Sequence, residues 1–379
     1  MKIVLTGGGT GGHFYPLIAV AERIHDYVVE RRLIEPELLY LGPEPFDIDA
    51  LAEQDITHLH APAGKLRRHA SMVSILDFLK TSVGIVRALS QLFSLYPDVI
   101  FSSGGYAAFP TLVAARILNI SVVVYDADAE PGIVSLWSSK FARWIAVAHP
   151  DAAQKFPKKV QERIANVGHP IRKEIEAPTD EGGHQFLKLD PSVPTIFVLG
   201  GSQGAQAIND ALVDTLPVLV EKYNIVHQTG RKNLEEITGM SKLILQGSRY
   251  DNRYRVFGLL NVLALRMAAG VSDLIISRAG SGTIFEIASW GIPAILIPIP
   301  QDVSHDQIKN AFSYARSGAA IVIEQQNLTP HVLVAEINRI MDDKAQQEAM
   351  KEGARSFARR DAAKKIAKAV VDIGLEHTS

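Results

Sequence analysis

Short, nearly uninterrupted apolar runs alternate along this chain with longer stretches in which apolar residues recur every three or four positions. Lys2–Thr6, Leu38–Leu41, Asp98–Phe101, Ser121–Tyr125 and Ile145–Ala148 are such runs in the first half. Thr195–Leu199, Ile225–Gln228, Leu274–Ser277, Ala294–Ile297 and Ala320–Ile323 follow in the second. Continuous apolar runs separated by helix-length segments are the mark of parallel strands covered on both faces. The pattern therefore predicts α/β layers, doubly wound.

An internal echo divides the pattern in two. Leu5 leads through Gly8-Gly9-Thr10-Gly11-Gly12 into a helix expected from near Pro16. Half the chain later, Leu199 leads through Gly200-Gly201-Ser202-Gln203-Gly204 into one expected from near Ala207. Two tandem Rossmann-like domains account for this better than two unrelated turns. The expected limits are 1–175 for the first domain and 195–343 for the second. Between them, 176–194 reads as an exposed linker, rich in Pro and carrying Asp180-Glu181-Gly182-Gly183. The tail 344–379 reads as one helix, with Met350, Phe357, Ile366, Val370 and Ile373 among many charges, expected to pack back on the first domain.

Composition narrows the function classes. At 379 residues the chain exceeds one ordinary domain of about 100–200 residues. Without any cysteine, thiolate metal sites, iron–sulfur clusters, disulfides and cysteine nucleophiles are excluded. With 39 basic against 41 acidic residues, bulk nucleic-acid binding is not expected. The start MKIVLTGGGT has no charged-then-apolar signal pattern. The most apolar long stretch, Tyr106 to Tyr125, is broken by Pro110, Arg116 and Asn119, whereas a span needs about 20 apolar residues. Any membrane role is expected to be peripheral.

The glycine loops carry the chemistry. In Gly7-Gly8-Gly9-Thr10-Gly11-Gly12-His13, glycines between strand and helix let the backbone turn and aim N–H groups at an anion. The helix N-terminus adds about half a positive charge. A phosphate or diphosphate suits such a loop. The dinucleotide fingerprint fails, because Arg31 and Arg32 stand about 20 residues on, where an acidic residue is required. His13 is either a structural cap or a general base or donor to a substrate. In the second loop, Ser202 can donate to a phosphate oxygen while successive amides form a nest. Two such loops imply a substrate cleft between domains.

A third strand-to-helix junction, Ser277-Arg278-Ala279-Gly280-Ser281-Gly282-Thr283, admits a ligand close to a helix N-terminus. Glu286 beyond it is either a dipole partner or a bidentate acceptor for two ribose hydroxyls. Polar groups from Pro298 to Asn310, Gln307 among them, crowd the loop before a further helix, where sugar hydroxyls are read. His305 and Asp306 lack a second ligand cluster, so a metal is not expected.

These segments together resemble the MurG family, N-acetylglucosaminyltransferases that convert lipid I into lipid II in bacterial cell-wall synthesis. The likeness runs from Gly8–His13 with Pro16, through Gly104-Gly105-Tyr106 with Pro110 and Gly168-His169-Pro170-Ile171-Arg172, to Gly200–Ala205 with Asn209. It continues through His227-Gln228, Arg278-Ala279-Gly280, Glu286, Gly291-Ile292-Pro293, Gln307 and Asn310-Ala311 to Gly318-Ala319-Ala320, in family order over nearly the whole chain. It implies a GT-B fold, with UDP-N-acetylglucosamine on the C-terminal domain and a polyprenyl-diphosphate-linked muramoyl-pentapeptide acceptor on the N-terminal one. By resemblance, Ser202 and its loop, with Gln203 and Gly204, lie at the donor diphosphate, Glu286 reads the ribose and Gln307 the sugar, while Ser281, Gly282 and Thr283 stand at a helix start whose dipole favours a phosphate. Thr10, Gly11, Gly12 and His13 then lie at the cleft, Arg172 supplies positive charge, and His13 is the catalytic candidate. No cofactor or metal is implied; the anomeric carbon would invert in one in-line displacement. The implied setting is the cytoplasmic face of the cell membrane, in peptidoglycan synthesis, cell shape and division.

The chain departs from the family where His-Glu-Gln-Asn is usual. It has Tyr125-Asp126-Ala127-Asp128, so Asp128 puts a negative charge near the substrate. Val256–Met267 also lacks the usual uracil-framing pattern, and Val262 is the expected contact to the base edge. A basic head, Lys65, Arg67, Arg68 and His69, precedes Met72, Val73, Ile75, Leu76, Leu79, Val83, Val86 and Leu89. That stripe suits either domain core or docking on anionic headgroups. A UDP-N-acetylglucosamine 2-epimerase, a transferase with another polyprenyl or glycolipid acceptor, and a non-catalytic nucleotide-sugar binder remain the competing readings; a nicotinamide dehydrogenase is opposed by the fingerprint.

Overall fold

The structure, a computed structural model, describes residues 1–64, 72–200, 205–303 and 306–378. The chain forms two compact units, Met1–Lys173 with Arg359–Ser379, and Glu174–Ala358. In the first, the described residues build a seven-stranded sheet: β1 (Lys2–Thr6), β2 (Glu37–Gly42), β3 (Thr57–His60), β4 (Val99–Ser102), β5 (Val122–Asp126), β6 (Trp144–Val147) and β7 (Ile164–Asn166). In the second they build a six-stranded one: β8 (Thr195–Leu199), β9 (Asn224–Gln228), β10 (Tyr254–Phe257), β11 (Leu274–Ser277), β12 (Ala294–Leu296) and β13 (Ala320–Val322).

The orders are β3-β2-β1-β4-β5-β6-β7 and β10-β9-β8-β11-β12-β13, with neighbouring strands parallel, as in the β1–β4 and β8–β11 pairs. Both sheets therefore reverse winding beside their own first strand, β1 against β4 and β8 against β11. In a doubly wound sheet that switch point opens the ligand crevice at the strands' carboxyl ends. Two parallel sheets flanked by helices are the GT-B fold.

Alternate residues of the inner strands feed opposite faces, which is why their sequences read as unbroken apolar runs. Phe197, Leu199, Val226, Ile275 and Leu296 belong to one core of the second unit; Ile196, Val198, Ile225, Ile276 and Ile295 belong to the other. In the first unit Val4, Leu39, Leu41, Ile100, Val124 and Ile145 share one core with Leu112 and Ala88. Each such side chain, fully buried, contributes roughly 1.5–3 kcal/mol.

The two units share a device at the sheet's base. Asp98, just before β4, accepts from Lys2 N (2.7 Å), and Asp273, just before β11, accepts from Thr195 N (2.9 Å). Each carboxylate closes the first backbone donor of the neighbouring strand.

The chain enters the second unit at Glu174 and returns at Arg359, so the tail is not one helix. Lys344–Phe357 stays with the second unit, where Phe357 packs on Phe285 and Tyr314. Ala358 is extended, and Ala362–Thr378 packs on the helix Gly11–Glu30. The stretch read as a linker holds the helix Gly183–Leu187, packed on Val262–Gly270. No helix among the described residues is long and apolar enough to cross a membrane.

Candidate functional site

In the first unit, the site begins where β1 runs out into Gly7–Thr10 and the helix Gly11–Glu30 starts. Thr10 is at the N-cap position without capping through its side chain, and Thr10 and Gly12 are exposed. The loop is held from behind by the segment after β4. Ser103 Oγ donates to His13 O, and a Cβ on Gly7 would lie 1.9 Å from that hydroxyl oxygen. Gly105, at φ +76°, passes so close that a Cβ would meet Gly8 O at 2.9 Å and the His13 ring at 3.2 Å. Only glycine fits there.

The same packing sets the state of His13. Its Nδ1 is 3.0 Å from Ser103 O. A carbonyl oxygen only accepts, so Nδ1 carries the proton, and in the neutral ring Nε2 keeps its lone pair. That is the tautomer a general base requires.

Asp126, at the end of β5, is buried and serves the backbone. Its oxygens accept from Gly132 N (3.1 Å) and Asp128 N (3.2 Å), shaping the turn before the helix Ile133–Ser138. Burial raises its pKa above the ordinary carboxylate value, against hydrogen bonds from Ser135, Gly132 and Asp128 and the nearby charge of His13. Asp128 itself is half-buried on that turn. Beside them Tyr125 Oη and His169 Nδ1 are 2.7 Å apart, both buried. Burial, with His149 and His13 adding to it, lowers the His169 pKa to about 3. Arg172 reaches the same unit, its guanidinium 4.1 Å from the Tyr15 ring centre.

In the second unit, β11 ends at Ser277 and Gly280 caps the helix Ser281–Trp290 without a side-chain bond, so Ser281, Gly282 and Thr283 form its first turn and Glu286 its second. Arg278 donates to Ile297 O (3.1 Å) and Pro298 O (3.4 Å), joining the ends of β11 and β12; burial lowers its pKa. Gln307 opens the helix Gln307–Ala315. Its Oε1 accepts from both Ala279 N (3.3 Å) and Ile299 N (3.1 Å). Val262 is the first residue of Val262–Gly270, behind the Asn261 cap, and is half-buried. The preceding loop is fixed by Gln228 Oε1, which accepts from Leu260 N (2.9 Å).

Ser202, Gln203 and Gly204 lie outside the described residues, as does His305. Their loop is bounded by Gly200, whose N–H bonds Gln228 O (2.9 Å), and by Ala205, which precedes the helix Gln206–Lys222. Below it, His227 Nε2 meets Asn209 Oδ1 (3.0 Å) and its Nδ1 meets Tyr254 Oη (2.8 Å). The Asn209 oxygen accepts only, so Nε2 carries the proton and Tyr254 donates to Nδ1. Burial lowers the His227 pKa to about 3.

The structure thus gathers Thr10–His13, Asp128 and Arg172 in one unit and Ser281–Glu286 and Gln307 in the other. Tyr15 and Ser103 had no distinguishing spacing in the sequence. Among the described residues no group of three or more His, Cys, Asp or Glu could hold a metal ion.

Residues 3–147 match the glycosyltransferase family 28 N-terminal domain, and residues 195–366 its C-terminal domain. The chain belongs to glycosyltransferase family 28. A relative from Halothermothrix orenii, named UDP-N-acetylglucosamine–N-acetylmuramyl-(pentapeptide) pyrophosphoryl-undecaprenol N-acetylglucosamine transferase, is 34% identical over 347 residues, 90% of this chain and 91% of the relative. The crystal structure of Acinetobacter baumannii MurG is similar with a TM-score of 0.74 at 25% identity, covering 98% of this chain and 99% of that one. A UDP-GlcNAc 2-epimerase from Neisseria meningitidis, at 13% identity and a TM-score of 0.67 over 99% of this chain and all of its own, shares the fold alone. Family 28 membership accounts for both halves of the chain, with β1 and β8 at equivalent places in its two sheets.

Proposed function

We propose that this protein is an inverting transferase that moves N-acetylglucosamine from UDP-N-acetylglucosamine to a lipid-diphosphate-linked muramoyl-pentapeptide acceptor. The observation that carries the chemistry is the His13 tautomer, because a neutral Nε2 at an open glycine-rich helix start can take the acceptor's proton. The acceptor oxygen bonds the anomeric carbon, its proton passes to His13 Nε2, and the bond from that carbon to the diphosphate breaks, its electron pair leaving with UDP. In the second unit, the start of Ser281–Trp290 and the loop Gly200–Ala205, with Ser202, Gln203 and Gly204, receive the diphosphate. Glu286 accepts from the ribose, Val262 flanks the base and Gln307 Nε2 donates to the sugar. In the first unit, Thr10, Gly11, Gly12, Asp128 and Arg172 contact the acceptor.

The protein works as a peripheral protein on the cytoplasmic face of the membrane, docking through the helix Met72–Leu95. Leu76, Leu79, Val83 and Val86 are 50–68% exposed along it, and Phe78 and Phe93 at least 70%. Leu89 turns inward to the core instead. The side chains of Met72, Val73 and Ile75 and the basic head Lys65, Arg67, Arg68 and His69 lie outside the described residues.

The test is UDP release from UDP-N-acetylglucosamine with and without the lipid-linked acceptor. Release only with acceptor, and a kcat lowered about 100-fold or more in His13→Ala, is the expected result. Isomerisation of the UDP-sugar without acceptor would replace this reading with the epimerase one.

A further inference from the structure

The segment from β2 into the short helix Ile48–Ala52 presents hydrocarbon to solvent and turns a carboxylate inward. Phe46 is 45% exposed and Ile48 62%, while Asp47 between them is half-buried. Both Asp47 oxygens are engaged: Oδ2 accepts from Tyr15 Oη (3.1 Å), and Oδ1 accepts from Ala50 N (3.1 Å) as the helix cap. Single exposed apolar residues are ordinary on a protein surface. Two that flank an inward-facing carboxylate reverse the usual arrangement, in which the charge goes to water.

The Phe46 ring is held in this position. Its centre lies 5.7 Å from that of Tyr15, at a near-perpendicular 77°, and 6.3 Å from that of Phe14, both on the helix Gly11–Glu30. Pro43 and Pro45 fix φ at two of the three residues before it, so the ring is placed ahead of any ligand. It is also placed beside the glycine loop. A Cβ on Gly11, the first residue of that helix, would lie 3.3 Å from Phe46 Cε1 and 3.4 Å from its Cζ. A hydrocarbon group esterified to a diphosphate at this helix start begins within reach of the ring.

The chemistry of the segment says which group that is. Phe46 and Ile48 offer no donor or acceptor, and burying a sugar's hydroxyls against them would cost their hydrogen bonds to water. From Gly42 to Ala52 the chain carries Glu44, Asp47 and Asp49 and no basic residue, with Glu44 and Asp49 exposed. Those charges repel an anionic membrane surface. An uncharged hydrocarbon chain meets neither obstacle.

We propose that Phe46 and Ile48 form a subsite for the first isoprene unit of the acceptor's polyprenyl chain. The inference rests on the reading that the helix start at Thr10–Gly12 takes the acceptor diphosphate. The subsite reads the chain where it leaves the diphosphate, independently of what holds the rest of the lipid at the membrane.

The experiment is steady-state transfer from UDP-N-acetylglucosamine to two soluble acceptors, muramoyl-pentapeptide diphosphates esterified with a geranyl or with a methyl group. The parent has a KM about tenfold or more lower for the geranyl acceptor. Phe46→Ala brings the two values within about threefold by raising the geranyl KM alone. Ile48→Ala moves it the same way by less, and Phe46→Leu, which keeps hydrocarbon in place, retains most of the preference. The methyl acceptor separates a lost contact from a damaged site. A parent indifferent to the chain, an undiminished preference in Phe46→Ala, or a KM raised equally for both acceptors overturns the subsite. Weakened binding of Phe46→Ala to phosphatidylglycerol-containing vesicles overturns it too, by assigning the pair to the bilayer. A parent that binds the UDP-sugar but transfers to neither acceptor overturns the acceptor reading beneath it instead.

Discussion

The Gln307 amide is committed on one side only. Two backbone N–H groups, from Ala279 and Ile299, point at its oxygen, so the amide cannot be flipped and only the NH₂ group can face a sugar. Glutamate at this position keeps both accepted bonds and, at the first position of a helix, benefits from its dipole. It loses the donor. Gln307→Glu is therefore expected to melt within about 2 °C of the parent and to bind UDP normally, with the UDP-sugar KM raised about tenfold, the worth of one hydrogen bond. Gln307→Leu strands both backbone donors and should lower the melting temperature by several degrees as well. Calorimetry with kinetics separates the two: an unstable Gln307→Glu, or one with an unchanged KM, contradicts the division of labour. The sequence marked Gln307 as a sugar reader but could not show the brace, because the two donors it accepts from are backbone atoms brought together by the fold.

At the scale of elements, legibility followed position in the sheet. Inner strands are buried on both faces, and their continuous apolar runs were readable. β3 (THLH), β7 (IAN) and β10 (YRVF) were not, being short edge strands with half-exposed positions, where polar residues interrupt the run. The break at Ala358 was also unreadable, since no proline or glycine marks it; the helix stops because the chain returns to the first unit. The helix Met72–Leu95 was ambiguous for a different reason. Its apolar residues are too many for one face: Ala88 and Leu92 reach the core, while Leu79, Val83 and Val86 do not. Periodicity cannot tell a second buried face from a docking face. For the docking reading, Leu79→Glu with Val86→Glu should cut binding to phosphatidylglycerol-containing vesicles at least tenfold, since each side chain's burial is worth roughly 1.5–3 kcal/mol. Transfer to a short-chain soluble acceptor should be unchanged. Sedimentation with vesicles reads the first and the transfer assay the second; undiminished vesicle binding would assign that face another role.

At the scale of the whole molecule, each unit carries a buried, neutral Tyr–His pair: Tyr125 with His169, and Tyr254 with His227. Both histidines have pKa values lowered to about 3, mainly by burial, against about 6.5 when unfolded. The unfolded chain then binds protons that the folded one refuses, so stability is full above pH 6.5 and falls as the pH drops towards 3. By pH 5 the loss is about 2 kcal/mol for each histidine, or roughly 4–8 °C in melting temperature. Asp190 and Glu348, held low by Ser192 and Lys351, begin to lose their contributions only nearer pH 4, below the interval from pH 7 to 5. Asp126 acts with the opposite sign: its raised pKa means that the folded first unit gains a proton before the unfolded chain does, which offsets part of the His169 loss. The second unit has the His227 loss without that offset and should be the first to open on acidification. Hydrogen exchange at pH 7 and pH 5, read separately over β8–β12 and β1–β6, measures this directly, and His227→Gln, which can still donate to Asn209 and accept from Tyr254, should remove most of the second unit's pH dependence. Equal acid sensitivity in the two units, or a His227→Gln variant as pH-dependent as its parent, would show that the acid response originates elsewhere than in these pairs.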